Sequence, residues 1–371
     1  MKCEHLKIIG PIAGVGSRLR PFTFNKPKAF LKVAGKLVID HILDHFLGSF
    51  SEKLEIVCVV GFKRNQMQEY LLQKYSDKFT FKFITQNPVS YQGDIPIFGG
   101  LGEAIYLSHT EVLDKAGEAK DDILIFLGDM VLVDEYRDIL KDYFAGSVDG
   151  VISVMKVPRD QAKHYGVVQT DSRGIITNLV EKPQEFVSDL AIAGIYAFNK
   201  PATTKLFSSL QKTLKARKKF DKEVQFTPAL QDVVNAGFKI QANPIVKGIL
   251  DFGRPDTLLN GNTFILNHLN GKQSSTEFSL QNSKIVPPVY IGTHTVILNS
   301  VVGPYASIGD NCTLEKCVIA ASVVGDNSHL AKIITRNAII GDDVSLEAIA
   351  KDHIIIGDKA QLISSRPLRK S

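Results

Sequence analysis

Apolar residues fall in short runs along most of the chain and at a fixed interval near its C-terminal end. The run Leu6 to Ala13 reads as a buried strand, and Val38, Ile39, Ile42, Leu43 and Phe46 repeat at helical spacing, with Gly48 placed to stop the helix. Glu55–Val60 is then a buried strand, Arg64–Tyr75 a helix, Phe79–Ile84 a strand, and an amphipathic helix starts at Gly100. Ile123–Leu127 is a central buried strand. This alternation predicts a parallel sheet with helices on both faces, in which ligands sit beyond the carboxyl ends of the strands. From Val151 to Phe198 the runs shorten and alternate (Val151–Val157, Tyr165–Thr170, then Ile175 onward after the turn Asp171-Ser172-Arg173-Gly174), which predicts a hairpin-rich lobe laid against the first sheet. Phe226–Ala236 is a further helix, and the polar stretch 268–284 marks a linker.

Beyond the linker the chain repeats. Ile308-Gly309-Asp310, Val324-Gly325-Asp326, Ile340-Gly341-Asp342 and Ile356-Gly357-Asp358 recur every sixteen residues, with Ile291-Gly292 seventeen earlier. Such a period describes a parallel β-helix of about five coils with its aliphatic edges inward. The expected organisation is an α/β domain over 1–267, a linker over 268–284 and a β-helix over 285–371.

Composition narrows the class without naming a chemistry. The 371 residues are 44% hydrophobic and 22% charged, ordinary for a globular chain long enough for two domains. The net charge of +5 is mild, and the one basic run (Lys212, Lys215, Arg217, Lys218, Lys219, Lys222) reads as a solvated helix and loop, so no nucleic-acid surface is expected. The four cysteines Cys3, Cys58, Cys312 and Cys317 have no Cys-x-x-Cys spacing, there is no apolar leader, and no segment is apolar enough to span a bilayer. A cytoplasmic protein with no membrane role is expected.

Candidate chemistry begins directly after the first strand. Gly14 and Gly16, flanked by Ala13 and Ser17, would let the backbone turn tightly and bring its N–H groups against an anion, Arg18 supplies a planar fork for phosphate oxygens, and Lys28 adds a mobile positive charge. The spacing is neither that of a P-loop nor of a dinucleotide fingerprint, whose third glycine is here Leu19. Asp129 follows the strand 123–127 and Gly128, which would leave room for a ligand; the carboxylate is either a turn cap or a Mg²⁺ ligand.

The string Gly-Val-Gly-Ser-Arg-Leu-Arg-Pro-Phe-Thr-Phe-Asn-Lys-Pro-Lys, residues 14–28, resembles the signature of the sugar-1-phosphate nucleotidylyltransferases. Leu127-Gly128-Asp129, Tyr165-Gly166-Val167, Glu181-Lys182-Pro183, Ala193-Gly194-Ile195 and Asp251-Phe252-Gly253-Arg254-Pro255 extend the resemblance, and the repeat resembles the hexapeptide left-handed β-helix, with corners trimmed from eighteen residues to sixteen. The resemblance implies a Rossmann-like mixed-sheet nucleotidyltransferase domain followed by a left-handed β-helix. By it, a sugar-1-phosphate attacks a nucleoside triphosphate and releases pyrophosphate, with Arg18, Lys28 and Lys182 as catalytic cations and Asp129 and Asp251 holding Mg²⁺. Gln86 and Gly100 would line the base pocket, and Tyr165, Gly166, Glu181 and Gly194 the sugar pocket.

Departures are also legible: Pro11-Ile12 precedes Ala13 where the family is small, about seven extra residues with Tyr91 and Phe98 fall in the stretch 89–99, and Pro228 follows Thr227 where an aspartate is common. Without the resemblance Glu181-Lys182 is a solvated pair and Asp251 a turn aspartate. The substrates expected are dTTP or UTP with glucose-1-phosphate or a related sugar, with homo-oligomers formed through the β-helix. Two other readings compete: a silent sugar-nucleotide-binding regulator, and an acyltransferase using His294, His329 or His353 of the β-helix.

Overall fold

The structure, a computed structural model, describes residues 6–217, 223–269, 275 and 277–363. Cys3, the basic residues Lys218, Lys219 and Lys222, part of the expected linker and the last eight residues lie outside these. Two compact units are present, Met1–Val15 with Ile42–Ile249, and Gly16–His41 with Leu250–Ser371.

In the first unit nine strands form one mixed sheet: β1 (Leu6–Pro11), β2 (Glu55–Val60), β3 (Thr80–Thr85), β4 (Asp122–Phe126), β5 (Gly150–Lys156), β6 (Gly166–Thr170), β7 (Ile176–Glu181), β8 (Leu190–Phe198) and β9 (Ile240–Pro244). The order is β7-β6-β8-β4-β1-β2-β3, with β5 also on β8 and β9 on β5. β4, β1, β2 and β3 run parallel, in register Leu124–Ile8–Ile56–Phe81. The expected hairpin lobe is not a separate layer. The nine-residue β8 pairs antiparallel with β4 through Ile195–Phe198 and touches β6 at Ala191, so the hairpin strands extend the same sheet.

Side-chain alternation assigns the two faces of β4. Ile123 and Ile125 join a core with Ile9, Ile152 and Tyr196, covered by Leu206, Phe207 and Leu210 and by Phe226, Leu230 and Val233. Phe126 turns the other way, onto Phe46, whose ring stacks on Tyr136 at 4.5 Å. The helices are α1 (Val38–Ser49), α2 (Arg64–Tyr75), α3 (Leu101–Leu107), α4 (Lys200–Ala216) and α5 (Thr227–Asn235), followed in the second unit by α6 (Pro255–Leu269). Gly48 does not end α1. The helix runs to Ser49 and Phe50 still donates its N–H to Phe46 O, because Phe46 and Phe50 pack together and hold the last turn closed.

The second unit contains the parallel β-helix. Its rungs stack in register, Ile291–Ile308–Val324–Ile340–Ile356 on one side and Leu280–Ile297–Leu314–Leu330–Leu346–Leu362 on another. The first rung, Ser279–Gln281, falls inside the stretch read as linker. Each coil turns at three residues with left-handed backbone, such as Asn327, Lys332 and Asn337, then Asp343, Ala348 and His353. Consecutive corners stand five, five and six residues apart, which gives the sixteen-residue period.

The Ile-Gly-Asp repeat has a structural cause. Each aliphatic residue points inward, and each aspartate accepts through Oδ1 the N–H of the aspartate one coil earlier: Asp326 from Asp310 at 2.9 Å, Asp342 from Asp326 at 3.0 Å, and Asp358 from Asp342 at 3.0 Å. Glycine precedes them because the next coil's carboxylate occupies the place of a side chain. A Cβ on Gly325 would lie 2.2 Å from Asp342 Oδ1.

Candidate functional site

Along the carboxyl edge of the parallel strands the backbone of the first unit continues past each strand end. Ile12 N–H bonds to Val59 O and Gln86 N–H to Val60 O, so Ala13, Gln86, Gly128 and Asp129 follow β1, β3 and β4 on one edge. Ala13 is buried, Gly14 exposed, and Asp129 half-buried in the turn before Met130–Leu132. The room over Gly128 is taken by Ile12, whose Cγ2 would lie 2.2 Å from a Cβ there.

Gln86 is buried and its amide nitrogen is committed to the protein, to Glu103 Oε2 at 2.8 Å and Gly100 O at 3.3 Å. Glu103 is a hub: it also accepts Gly99 N–H, and Arg217 pairs with its other oxygen at 3.0 Å. Arg217 therefore serves an internal ion pair, while Lys212 and Lys215 of the same basic run are exposed on α4. The turn at Gly100 (φ +90°) lies against Glu223 and Val224, and Val224 N–H donates to Gly99 O. The extra residues 89–99 form a small hairpin, Ser90–Gln92 with Ile95–Ile97, whose Tyr91 is exposed and whose Phe98 packs over Gly61.

Of the residues expected to hold the sugar, Tyr165, Gly166 and Glu181 sit at one end of the β6–β7 hairpin, and Gly194 lies on β8. Gly166 and Glu181 are partners across the hairpin, and Lys182 N–H bonds to Tyr165 O at 3.0 Å. Lys182 adopts a left-handed backbone (φ +44°), rare for a side-chain-bearing residue, which turns it out of β7 at the exposed end with Nζ 3.6 Å from Glu181 Oε1. Thr227, buried at the start of α5, donates to Glu181 Oε2 at 2.6 Å. Gly194 (φ +85°) is filled by protein: a Cβ would meet Met130 Sδ at 2.7 Å.

In the second unit the segment 16–41 is internally locked. Gly16 has a left-handed backbone, a Cβ on it would meet Lys28 Cβ at 2.9 Å, and Thr23 donates to Gly16 O at 2.7 Å. Ser17 and Arg18 are exposed on the turn that follows, and Lys28 is half-buried. Asp251, half-buried, accepts Gly253 N–H through Oδ1 at 2.7 Å.

Several groups outside these clusters carry no chemistry on their own. Cys58, Cys312 and Cys317 are free and buried, and burial pushes the thiols of Cys312 and Cys317 up to about 12 and about 11, so thiolates are suppressed. His294, His329 and His353 are exposed, two of them at β-helix corners. Among the described residues no helix is long and apolar enough to cross a membrane, and no three or more His, Cys, Asp or Glu side chains cluster as a metal site. The carboxylates of Asp129 and Asp251, which belong to different units, are hard oxygen donors of the kind Mg²⁺ takes alongside phosphates and water.

The family model for nucleotidyl transferases matches residues 12–268. The UTP–glucose-1-phosphate uridylyltransferase AglF of Haloferax volcanii is 31% identical over 245 residues, covering 66% of this chain and 90% of that protein. A glucose-1-phosphate thymidylyltransferase of Streptomyces griseus is 26% identical over 333 residues, covering 86% of each. Among solved structures, the UDP-glucose pyrophosphorylase of Acinetobacter baumanii superposes with a TM-score of 0.55 at 19% identity, over 72% of this chain and 94% of that one, a likeness of fold. The chain belongs to the nucleotidyl transferase family.

Proposed function

We propose that this protein joins a sugar-1-phosphate to a nucleoside triphosphate, giving a nucleoside diphosphate sugar and pyrophosphate. The observation that supports it most is the alignment of Ala13, Gln86, Gly128 and Asp129 along the carboxyl ends of β1, β3 and β4, the edge on which such sheets bind ligands. A phosphate oxygen of the sugar attacks the α-phosphorus in line, the bond to the β-phosphate breaks, and its electrons leave with pyrophosphate. No protein nucleophile is needed, because the attacking group is already an anion; the barrier lies in bringing two polyanions together.

Arg18 and Lys28 then neutralise the triphosphate and the departing pyrophosphate, with Ala13, Gly14, Gly16 and Ser17 giving backbone contacts. Lys182 pairs with the sugar phosphate, while Glu181, held by Thr227, accepts sugar hydroxyls beside Tyr165, Gly166 and Gly194. Asp129 and Asp251 would hold Mg²⁺, which supplies charge neutralisation between the phosphates when bound.

The base preference follows from one amide. With its nitrogen committed to Glu103 and Gly100, Gln86 offers its carbonyl oxygen, which accepts the ring N–H of uracil, thymine or guanine and finds no donor at the matching ring nitrogen of cytosine or adenine. Among the bases this acceptor admits, the similarity to uridylyl- and thymidylyltransferases supports UTP or dTTP, and UTP or dTTP with glucose-1-phosphate is the substrate pair proposed, in the cytoplasm. Self-association through the β-helix would use the side bearing Val318 and Ile334, which are 46% and 48% exposed. The test is a matrix of nucleoside triphosphates against glucose-, galactose-, mannose- and N-acetylglucosamine-1-phosphate, read as released pyrophosphate. Preference for ATP or CTP would overturn the role of Gln86.

A further inference from the structure

The stacked aspartates of the β-helix create an electrostatic problem. Asp310, Asp326, Asp342 and Asp358 stand in one column, at the roughly 4.8 Å spacing of neighbouring strands, where like charges repel. Two lysines answer them, and both come from the segment that carries the anion signature. Lys26 hydrogen-bonds to Asp342 and lies 3.2 Å from Asp358. Lys32 reaches Asp310 at 2.9 Å and both carboxylate oxygens of Asp326 at 2.8 Å. Burial alone would pull the Lys32 ammonium down, but its bonds to Asp326 and Asp310 outweigh it and hold its pKa up at about 12.

These anchors bracket the signature residue Lys28, two positions before it and four after. Lys28 in turn packs on Gly16, which Thr23 ties down, and Arg18 follows on the same turn. Further fastening comes from the fully buried Asn262 of α6, which accepts Ala34 N–H at 2.9 Å and the Ser307 hydroxyl at 2.7 Å, and from Pro21, which packs on Gly357.

We propose that Lys26 and Lys32 are positioning residues: by pairing with the aspartate column they hold Arg18 and Lys28 in working order, so that the β-helix supports the two signature cations of its own unit. This rests on the nucleotidyl-transfer reading for its kinetic consequence, but the mechanical part stands separately. A loop that must meet a triphosphate with two cations loses rate steeply when displaced, on the order of 10²-fold for about 1 Å.

The test uses the full chain with Lys26→Met/Lys32→Met, Lys26→Arg/Lys32→Arg and Asp326→Asn/Asp342→Asn. Hydrogen exchange is followed in residues 16–37 and in the coils 307–346, beside kcat and KM for pyrophosphate release. The expected result is faster exchange in 16–37, greater than any change in the coils, in the methionine and asparagine variants, a fall in kcat on the order of 10²-fold, and both properties retained in the arginine variant. Unchanged exchange in 16–37 would overturn the anchoring, as would loosening of the coils to the same degree, which would make the lysines general supports of the β-helix. Faster exchange with wild-type kcat would overturn the positioning role. A wild-type protein that releases no pyrophosphate refutes the functional reading, while the exchange measurements still decide the anchoring. If the double methionine variant does not fold, Lys32→Met alone carries the same comparison.

Discussion

Thr227 Oγ1 donates to Glu181 Oε2 at 2.6 Å, tying the first turn of α5 to the end of β7. A hydrogen bond to a charged group is worth about 1.5–3 kcal/mol, and here it aims a carboxylate proposed to accept sugar hydroxyls. Thr227→Val keeps the shape and removes the donor. The KM for the sugar-1-phosphate should rise about tenfold or more, with the KM for the nucleotide little changed and the melting temperature lower by about a few degrees, and Thr227→Ser should restore both. An unchanged sugar KM would remove Glu181 from sugar binding.

The β-helix repeat makes its own prediction. Gly325→Ala would drive a methyl group into Asp342 Oδ1 and the backbone of Gly341. Overpacking of this kind costs about 1–3 kcal/mol, so the denaturation midpoint should fall while Gly48→Ala, whose Cβ would meet nothing within 4 Å, should not lower it.

The lysine–aspartate column sets a pH window. Burial opposes ionisation of Asp310, yet its bonds from Lys32 and Thr293 N–H hold its pKa below the usual carboxylate range; its contribution is present above about 3.9 and is lost as pH falls through that lower value. Lys32, raised to about 12, contributes fully below about 10.4 and loses that contribution as pH rises through about 12. Exchange in residues 16–37 should therefore stay protected from about pH 5 to 10 and loosen outside it, after correction for intrinsic exchange rates. Lys32→Met should flatten the alkaline limb.

The carboxylates proposed for Mg²⁺ predict a metal-dependence signature. Asp251→Asn and Asp129→Asn should each raise the Mg²⁺ concentration needed for half-maximal turnover, with folding unaffected. Identical Mg²⁺ dependence in wild type and both variants would dissociate these residues from the ion.

Local pattern carried much of the fold into the sequence. Glu55–Val60 and Arg64–Tyr75 form where their periodicity placed them, and the sixteen-residue repeat is a β-helix because inward aliphatic residues must recur once per coil. What was not legible depends on contacts distant in the chain. The anchoring by Lys26 and Lys32 had no local sign, because their aspartates lie some 280 to 320 residues later, and nothing nearby in the chain distinguishes them from solvated charges. Glu103 was hidden in the same way, since a glutamate in the first turn of a helix already has a dipole reason to be there. Gly128 illustrates the converse: it was read as leaving room for a ligand, whereas the side chain beside it is Ile12, which could be named only once β1 and β4 were seen as neighbours. The hairpin strands after Val151 were placed correctly in kind and wrongly in layer, because alternation sets a strand's faces and says nothing of which edge it joins.

The most direct test of the account is pyrophosphate release from UTP or dTTP with glucose-1-phosphate and Mg²⁺, measured for the wild-type chain and for Arg18→Ala. The wild type should turn over and Arg18→Ala should be slower by about 10²–10³, with the same denaturation midpoint. Arg18→Ala working at the wild-type rate, or a wild-type chain that releases no pyrophosphate from any nucleotide and sugar phosphate offered, would contradict it.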